Sequence, residues 1–186
     1  TSGIYIYGAM LEYNASYATS YIPNHSGGTI TRAVDVCGGA GDASTFNDSE
    51  GVLYFEGSAL AEVGDRRISI SDGTLNNYIS IGYSRFTGNI IAEINYNGVS
   101  QNPNWGATGI TQTDNNKFAL SWGSGTMKFY INGVLKLTES VTSPVGLDIL
   151  RFSAGNGSLR MTSNTKQILT FPTALTDSEC IALTTI

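Results

Sequence analysis

Nucleophilic catalysis by a triad needs a base, and histidine is the usual one. The chain has a single histidine, His25, in the loop Pro23-Asn24-His25-Ser26-Gly27-Gly28. No Gly-x-Ser-x-Gly accompanies it, so it reads as an exposed loop residue. Glycoside hydrolysis needs two carboxyl groups held across the scissile bond. Sandwich-type glucanases carry theirs as Glu-x-Asp-x-x-Glu, where strand alternation aims every acid into one cleft. Glu50 to Glu56 lacks the middle acid, and Ala92-Glu93-Ile94-Asn95 has one acid only, so both read as solvated carboxylates. Gly38-Gly39-Ala40-Gly41 lacks the Lys-Ser/Thr ending of a phosphate loop. Asp42, Asn47, Asp48 and Glu50 offer hard oxygen atoms within nine residues, as calcium prefers, but match no EF-hand. The other reading of that stretch is an Asp/Asn/Ser turn leading into a strand. No other cofactor is indicated. The two cysteines, Cys37 and Cys180, lie far apart, and either a bridge or two separate thiols fits the sequence.

Binding remains. Sugar rings present apolar C–H faces to aromatic rings, while their hydroxyls pair with amides, carboxylates and guanidinium groups. There are ten Tyr, seven Phe and two Trp, most of them needed for a core. Trp105 stands apart, because it sits among Asn102, Pro103, Asn104 and Gly106 in loop company. An aromatic in that setting is either a stacking platform or a plug that packs the loop down. With Gln101, Asn102 and Asn104 as polar partners it forms the first candidate glycan site. The turn carrying Tyr83, Arg85 and Phe86 is the second. Trp122 alternates with Phe118 and Leu120, which places it in a core.

The elements that must position these residues are strands. Charged residues make up only 13% of the 186, against 41% hydrophobic, so Gly, Asn, Ser and Thr carry much of the surface. The net charge is −5 with no basic run, which argues against nucleic-acid binding. No apolar stretch approaches the ~20 residues that cross a bilayer. No signal peptide is visible, and a chain opening at Thr1 reads as a fragment or a processed product. Period-2 runs recur between Gly/Asn/Asp/Ser clusters. They begin at Ile4–Leu11, Thr29–Val34, Gly51–Glu56, Arg66–Ser71, Tyr78–Tyr83 and Asn89–Tyr96. They continue at Lys117–Trp122, Thr126–Ile131, Val134–Thr138, Leu147–Ser153, Ser158–Thr162 and Lys166–Phe171. Asn132-Gly133 predicts a type I′ hairpin turn. Thr176-Asp177-Ser178-Glu179 is a capping box, with Leu175 and Cys180 at the staple positions and Cys180, Ile181 and Leu183 facing inward. The stretch Asn97–Asn116, with Gly98, Pro103, Gly106 and Gly109, reads as one long polar loop. Together these predict an all-β fold: a two-sheet antiparallel β-sandwich with one short C-terminal helix.

Particular residues sharpen that expectation. Tyr17-Ala18-Thr19-Ser20-Tyr21-Ile22-Pro23, followed by Thr31-Arg32-Ala33-Val34-Asp35, resembles the "ATSYIPT…TRAAD" signature of tailed-phage tail and fibre proteins, which precedes a concanavalin A-like (laminin G-like) jelly roll. Tyr5-Ile6-Tyr7-Gly8-Ala9-Met10-Leu11-Glu12 is similar to the last strand of the sandwich upstream in such proteins. Tyr130-Ile131-Asn132-Gly133-Val134 and the closing Phe171-Pro172-Thr173-Ala174-Leu175-Thr176-Asp177-Ser178-Glu179 match the same pattern. Asn24 and Met10 depart from it, where Thr and Gln are usual. The resemblance implies a leading strand and connector over 1–30 and a concanavalin A-like sandwich over 31–186. It implies no catalytic motif. It points to a non-enzymatic, lectin-type receptor-binding module on a virion surface, outside the host cell. Such a module would contact a bacterial cell-surface glycan or envelope receptor for host attachment, in a parent protein that is commonly a trimer. A structural or decoration domain without sugar binding, and a carbohydrate-binding module of a secreted polysaccharide-active enzyme, are the competing readings.

Overall fold

A computed structural model describes residues 10–11, 20–25, 27–31, 38–61, 64–86, 88–101 and 109–186. The chain divides into two units, Thr1–Val36 and Cys37–Ile186. In the first, the described residues form neither strand nor helix. The Asn24 side chain closes a turn there, accepting from the Gly27 amide at 3.0 Å and donating to the Gly28 carbonyl. Of the Ile4–Leu11 run only Met10 and Leu11 are described, both outside any strand; the rest lies outside the described residues.

The second unit is two antiparallel sheets. Its strands are β1 (Gly38–Ala40), β2 (Gly51–Ala59), β3 (Arg66–Ser71), β4 (Tyr78–Tyr83), β5 (Ile90–Tyr96), β6 (Val99–Gln101), β7 (Asn116–Gly123), β8 (Thr126–Ile131), β9 (Val134–Ser140), β10 (Ile149–Arg151) and β11 (Ser163–Phe171). One sheet runs β1-β10-β3-β4-β5-β6 and the other β11-β2-β7-β8-β9. We call them the six-stranded and five-stranded sheets. The chain order within each is scrambled, because strands cross between sheets in jelly-roll fashion. Ser158–Thr162 is no strand; it contributes only a bridge from Arg160 to Arg67. The expected loop Asn97–Asn116 begins with strand β6.

Three two-residue turns fix register. Asn97-Gly98, Ser124-Gly125 and Asn132-Gly133 all have positive φ at both positions. That is the type I′ geometry, whose twist matches the flanking strands. Asn132 does more than turn: its side-chain oxygen accepts from Lys117 N at 2.9 Å, and its own N–H donates to Lys117 O at 3.0 Å.

The core lies between the sheets, and alternation decides which residues enter it. From the six-stranded sheet come Ile68, Ile70, Ile79, Ile81, Tyr83, Ile90, Ala92 and Ile94; from the other come Leu53, Phe55, Phe118, Leu120, Trp122, Met127, Phe129 and Ile131. Each large aliphatic or aromatic side chain buried this way contributes about 1.5–3 kcal/mol. An aromatic column stands at the centre. Phe118 stacks between Phe55 (5.9 Å) and Phe129 (6.2 Å), and Tyr83 meets it edge-on at 5.9 Å. Trp122 is core, as its alternation indicates, and donates its indole N–H to Asn47 O at 3.2 Å.

A second cluster lies on the opposite face of the five-stranded sheet. Helix α1 (Asp177–Thr184) covers Val52, Tyr54, Ala119 and Tyr130 with Cys180, helped by Leu175 and Leu183. The capping box is formed: Thr176 Oγ1 accepts from Glu179 N at 3.3 Å, and Thr176 N donates to Glu179 Oε2 at 2.8 Å. Cys180 and Thr184, one turn apart, face the sheet, whereas Ile181 points out. The expectation for Ile181 fails because a 3.6-residue period turns it about 100° away from Cys180. Cys180 is buried as a free thiol, and burial raises its pKa to about 11. Cys37 lies outside the described residues.

Removing the cap gives a local test. Thr176→Ala should lower stability by about 1 kcal/mol, read as a shifted urea midpoint with an unchanged slope. The Thr176 hydroxyl and amide hold the Glu179 carboxyl below its usual range. Its contribution is therefore present above the ordinary glutamate pKa and disappears as pH falls through the lowered value. The difference between wild type and variant should shrink in acid; a pH-independent difference would count against the box.

Candidate functional site

Trp105, Asn102 and Asn104 lie outside the described residues. Gln101 ends β6, and its amide makes a reciprocal pair with one residue: Nε2 donates to Thr142 O at 2.7 Å and Oε1 accepts from Thr142 N at 2.6 Å. It ties β6 to the segment after β9. Tyr83 is not part of a surface turn. It is 1% exposed in the core, and its hydroxyl donates to Gly57 O at 3.0 Å. Tyr83 ends β4, and alternation sends it inward with Ile79 and Ile81.

Arg85 and Phe86 are at the surface, in the connection between β4 and β5. Phe86 is 52% exposed, and the Arg85 guanidinium lies 5.1 Å from its ring centroid. Such a contact is worth about 0.5–1 kcal/mol at an exposed site. The backbone beneath is pinned. Arg85 N donates to Asp65 Oδ1 at 2.7 Å, Phe86 N to Ser84 Oγ at 3.2 Å, Ser84 N to Asn89 O at 3.2 Å and Asn89 N to Phe86 O at 3.1 Å. The Arg85–Asp65 ion pair itself is loose, at 3.9 Å. The arrangement is a fixed, half-exposed aromatic ring beside an exposed cation, which can stack against a sugar face and donate to its oxygens.

One residue missed from the sequence reaches this turn from outside it. Gln112, fully buried in the connection from β6 to β7, points its amide nitrogen at Ser84 O (3.1 Å), Phe86 O (3.0 Å) and Asn89 O (2.8 Å). No local pattern marks it, because its partners lie more than twenty residues away.

The four calcium candidates each hydrogen-bond to backbone or to neighbouring side chains. Asp42 Oδ1 closes its own turn on Ser44 and Thr45, and those hydrogen bonds lower its pKa. Asn47 donates to Pro172 O and accepts from Ser49 N. Asp48 receives the amides of Gly146 (2.7 Å) and Leu147 (2.9 Å), and Glu50 that of Ala174 (3.2 Å). These side chains close turns and tie down backbone, as in the turn reading. Among the described residues no three His, Cys, Asp or Glu side chains gather as metal ligands. No described helix is long and apolar enough to cross a membrane.

The face of the six-stranded sheet turned away from the core carries a second set of polar groups. Alternation places Arg67, Ser69 and Ser71 of β3, Tyr78 and Ser80 of β4, and Glu93 and Asn95 of β5 there, in register. All are buried. Ser69 and Ser71 donate to Ser153 O and Gly155 O of the segment after β10. Arg67 pairs with Glu93, while Ser100 Oγ donates to the other Glu93 oxygen at 2.6 Å. Gly82 gives the Arg67 stem its path: a Cβ there would lie 3.1 Å from Arg67 Cγ and 2.1 Å from Arg66 O. Arg67 Nε and Asn95 Oδ1 have no partner among the described residues. Glu93 is therefore not the solvated carboxylate its isolation in sequence implied. Burial raises the Tyr78 pKa. The remaining acid of interest, Glu56, accepts from Asn115 (3.0 Å) and Tyr54 (3.1 Å), and the Asn115 hydrogen bond leads in lowering its pKa.

Compared with solved structures, the chain superimposes on β-sandwich domains. The CBM40 of the IT-sialidase of Ruminococcus gnavus, bound to α2,3 sialyllactose, matches with a TM-score of 0.63 and 16% identity, over 82% of this chain and 96% of that one. Domain 4 of AbnA, a GH43 extracellular arabinanase of Geobacillus stearothermophilus in complex with arabinotriose, matches with a TM-score of 0.62 and 16% identity, over 77% and 70%. Sheep galectin-11 matches with a TM-score of 0.51 and 8% identity, over 75% and 99%. The fold is a two-sheet jelly-roll β-sandwich. At these identities the likeness establishes architecture alone. The chain matches no protein-family model and no curated protein sequence.

Proposed function

We propose that this jelly roll is a non-catalytic glycan-binding module that takes a sugar ring against Phe86, with Arg85 donating to its oxygens. The observation that carries the reading is the half-exposed Phe86 ring on a turn whose backbone is fixed by hydrogen bonds. Neighbours of the same fold in complex with sialyllactose and arabinotriose support it. Trp105, Asn102 and Asn104 belong to the proposal on the sequence argument alone. The "ATSYIPT…TRAAD" resemblance supports a setting on the virion surface, in a phage tail or fibre protein, with a bacterial cell-surface glycan as target and a trimeric parent. A carbohydrate-binding module of a secreted polysaccharide-active enzyme is the second reading, favoured by the sialidase and arabinanase modules among the neighbours.

The test is a glycan array containing bacterial surface polysaccharides, α2,3-sialyllactose and arabinotriose, followed by titration of wild type, Phe86→Ala and Trp105→Ala with each positive. Loss of one stacking contact of about 1.4 kcal/mol is tenfold in affinity. Phe86→Ala should bind about tenfold more weakly with its melting temperature almost unchanged. Undiminished binding by Phe86→Ala would remove the site from this turn, and a blank array would favour the structural-domain alternative.

A further inference from the structure

We infer that Gln112 is the positioning residue for the Arg85–Phe86 turn: its amide group is a clasp that holds the Phe86 ring presented for contact. The role in glycan binding rests on the reading of Phe86 above; the clasp itself does not.

The geometry is unusual for a glutamine. Two N–H bonds face three carbonyl oxygens, of Ser84, Phe86 and Asn89, all within 3.1 Å. The side-chain oxygen is buried and has no partner among the described residues. The opposite orientation of the amide would set that oxygen against three other acceptors, so the surroundings dictate which atom faces the turn. A buried oxygen left unsatisfied is unfavourable, and the convergence of three carbonyls on the nitrogen is what offsets it.

The clasp is anchored outside the sheet that carries the turn. Gln112 O accepts from Ala59 N at 2.8 Å, at the end of β2. Asn116, the first residue of β7, holds the Gln112 turn closed by donating to Thr111 O (2.9 Å) and Asp114 O (2.7 Å). Both β2 and β7 belong to the five-stranded sheet, while the clasped turn joins β4 to β5 of the other. The position of Phe86 is thus set by both sheets. A contact residue held before its partner arrives loses less freedom on binding.

Amide hydrogen exchange tests the clasp without any ligand. In Gln112→Met, of similar volume but without the donor, the amides of Ser84, Phe86 and Asn89 should exchange about tenfold faster, as a local opening. Ser80 and Ala92 in the adjoining strands should keep their wild-type rates. Unchanged turn amides, or equal acceleration throughout β4 and β5, would overturn the inference. Should Gln112→Met fail to fold, Gln112→Glu asks the same question. Its carboxyl donates only when protonated, so turn protection, corrected for intrinsic exchange, should fall with rising pH where wild type stays flat. A flat profile in Gln112→Glu would overturn the clasp. For positioning, each glycan positive on the array is titrated against the Gln112 variant that folds. Affinity should drop by about threefold to tenfold. Wild-type affinity in that variant, while Phe86→Ala binds weakly, would overturn the positioning role and leave the proposed function standing. Wild-type binding by Phe86→Ala would instead remove the proposed contact, with the exchange result deciding the clasp alone.

Discussion

Glu93→Ala should destabilise the fold by about 3–5 kcal/mol, the range for a buried charge stripped of its partner. The side chains of Arg67 and Glu93 are only 9% and 6% exposed. They lie on the outward face of the central strands β3 and β5, with Ser80 Oγ 3.4 Å from the guanidinium and Ser100 on the second carboxylate oxygen. Removing the carboxylate leaves the guanidinium charged in a shielded setting, with Ser80 its remaining hydrogen-bond partner among the described residues and Nε already without one there. The pair itself is another matter, because desolvating two charges offsets most of their attraction. Arg67→Met combined with Glu93→Leu should therefore recover most of the loss. Urea unfolding of the two single variants and the double variant forms the cycle. A cost below about 1 kcal/mol for Glu93→Ala, the range of exposed pairs, would mean that water reaches this face freely.

Phe118→Ala should cost a similar amount, about 3–5 kcal/mol, for a different reason. Phe118 is 1% exposed and stacks between Phe55 and Phe129, with Tyr83 at its edge. Truncation opens a cavity that strands paired on both sides of β7 cannot close by collapsing. In a domain of this size each kcal/mol shifts the melting temperature by about 2–4 °C, so a fall on the order of 10 °C is expected. Phe118→Leu keeps most of the volume and should cost much less. A loss under about 1 kcal/mol on truncation would show that the core repacks around the gap. Phe86→Ala, half exposed, is the internal control.

The strands were legible because each is short, alternating and bounded by turn residues. Arg66–Ser71 and Tyr78–Tyr83 have the ends read from sequence. The Asn132-Gly133 hairpin and the Thr176–Glu179 box rest on contacts within a few residues, so composition and spacing suffice. Asn97-Gly98 carried the same turn signal as Asn132-Gly133. It does not show as a hairpin in the sequence, because only the three residues of β6 follow it, too few to show a period. Helix α1 was legible as a helix, yet Ile181 was placed on the wrong side, because a helix this short shows too few turns to define its buried face.

The candidate site was less legible. The sequence determined that the chain is a strand-rich sandwich with a capped terminal helix, and it drew attention to Arg85 and Phe86 by their residue types. Types alone could not separate Tyr83 from its neighbours, since only the packing of the second sheet decides which face of β4 is covered. Nor could they show that Glu93 meets Arg67 across 26 residues, or that Gln112 reaches the Phe86 turn across a similar span. Local propensity is a property of adjacent residues, whereas those contacts depend on how strands order themselves within a sheet. Only the tertiary structure set β3 beside β4 and β5, buried one acid while engaging the four calcium candidates elsewhere, and joined a turn of one sheet to an amide fixed by the other.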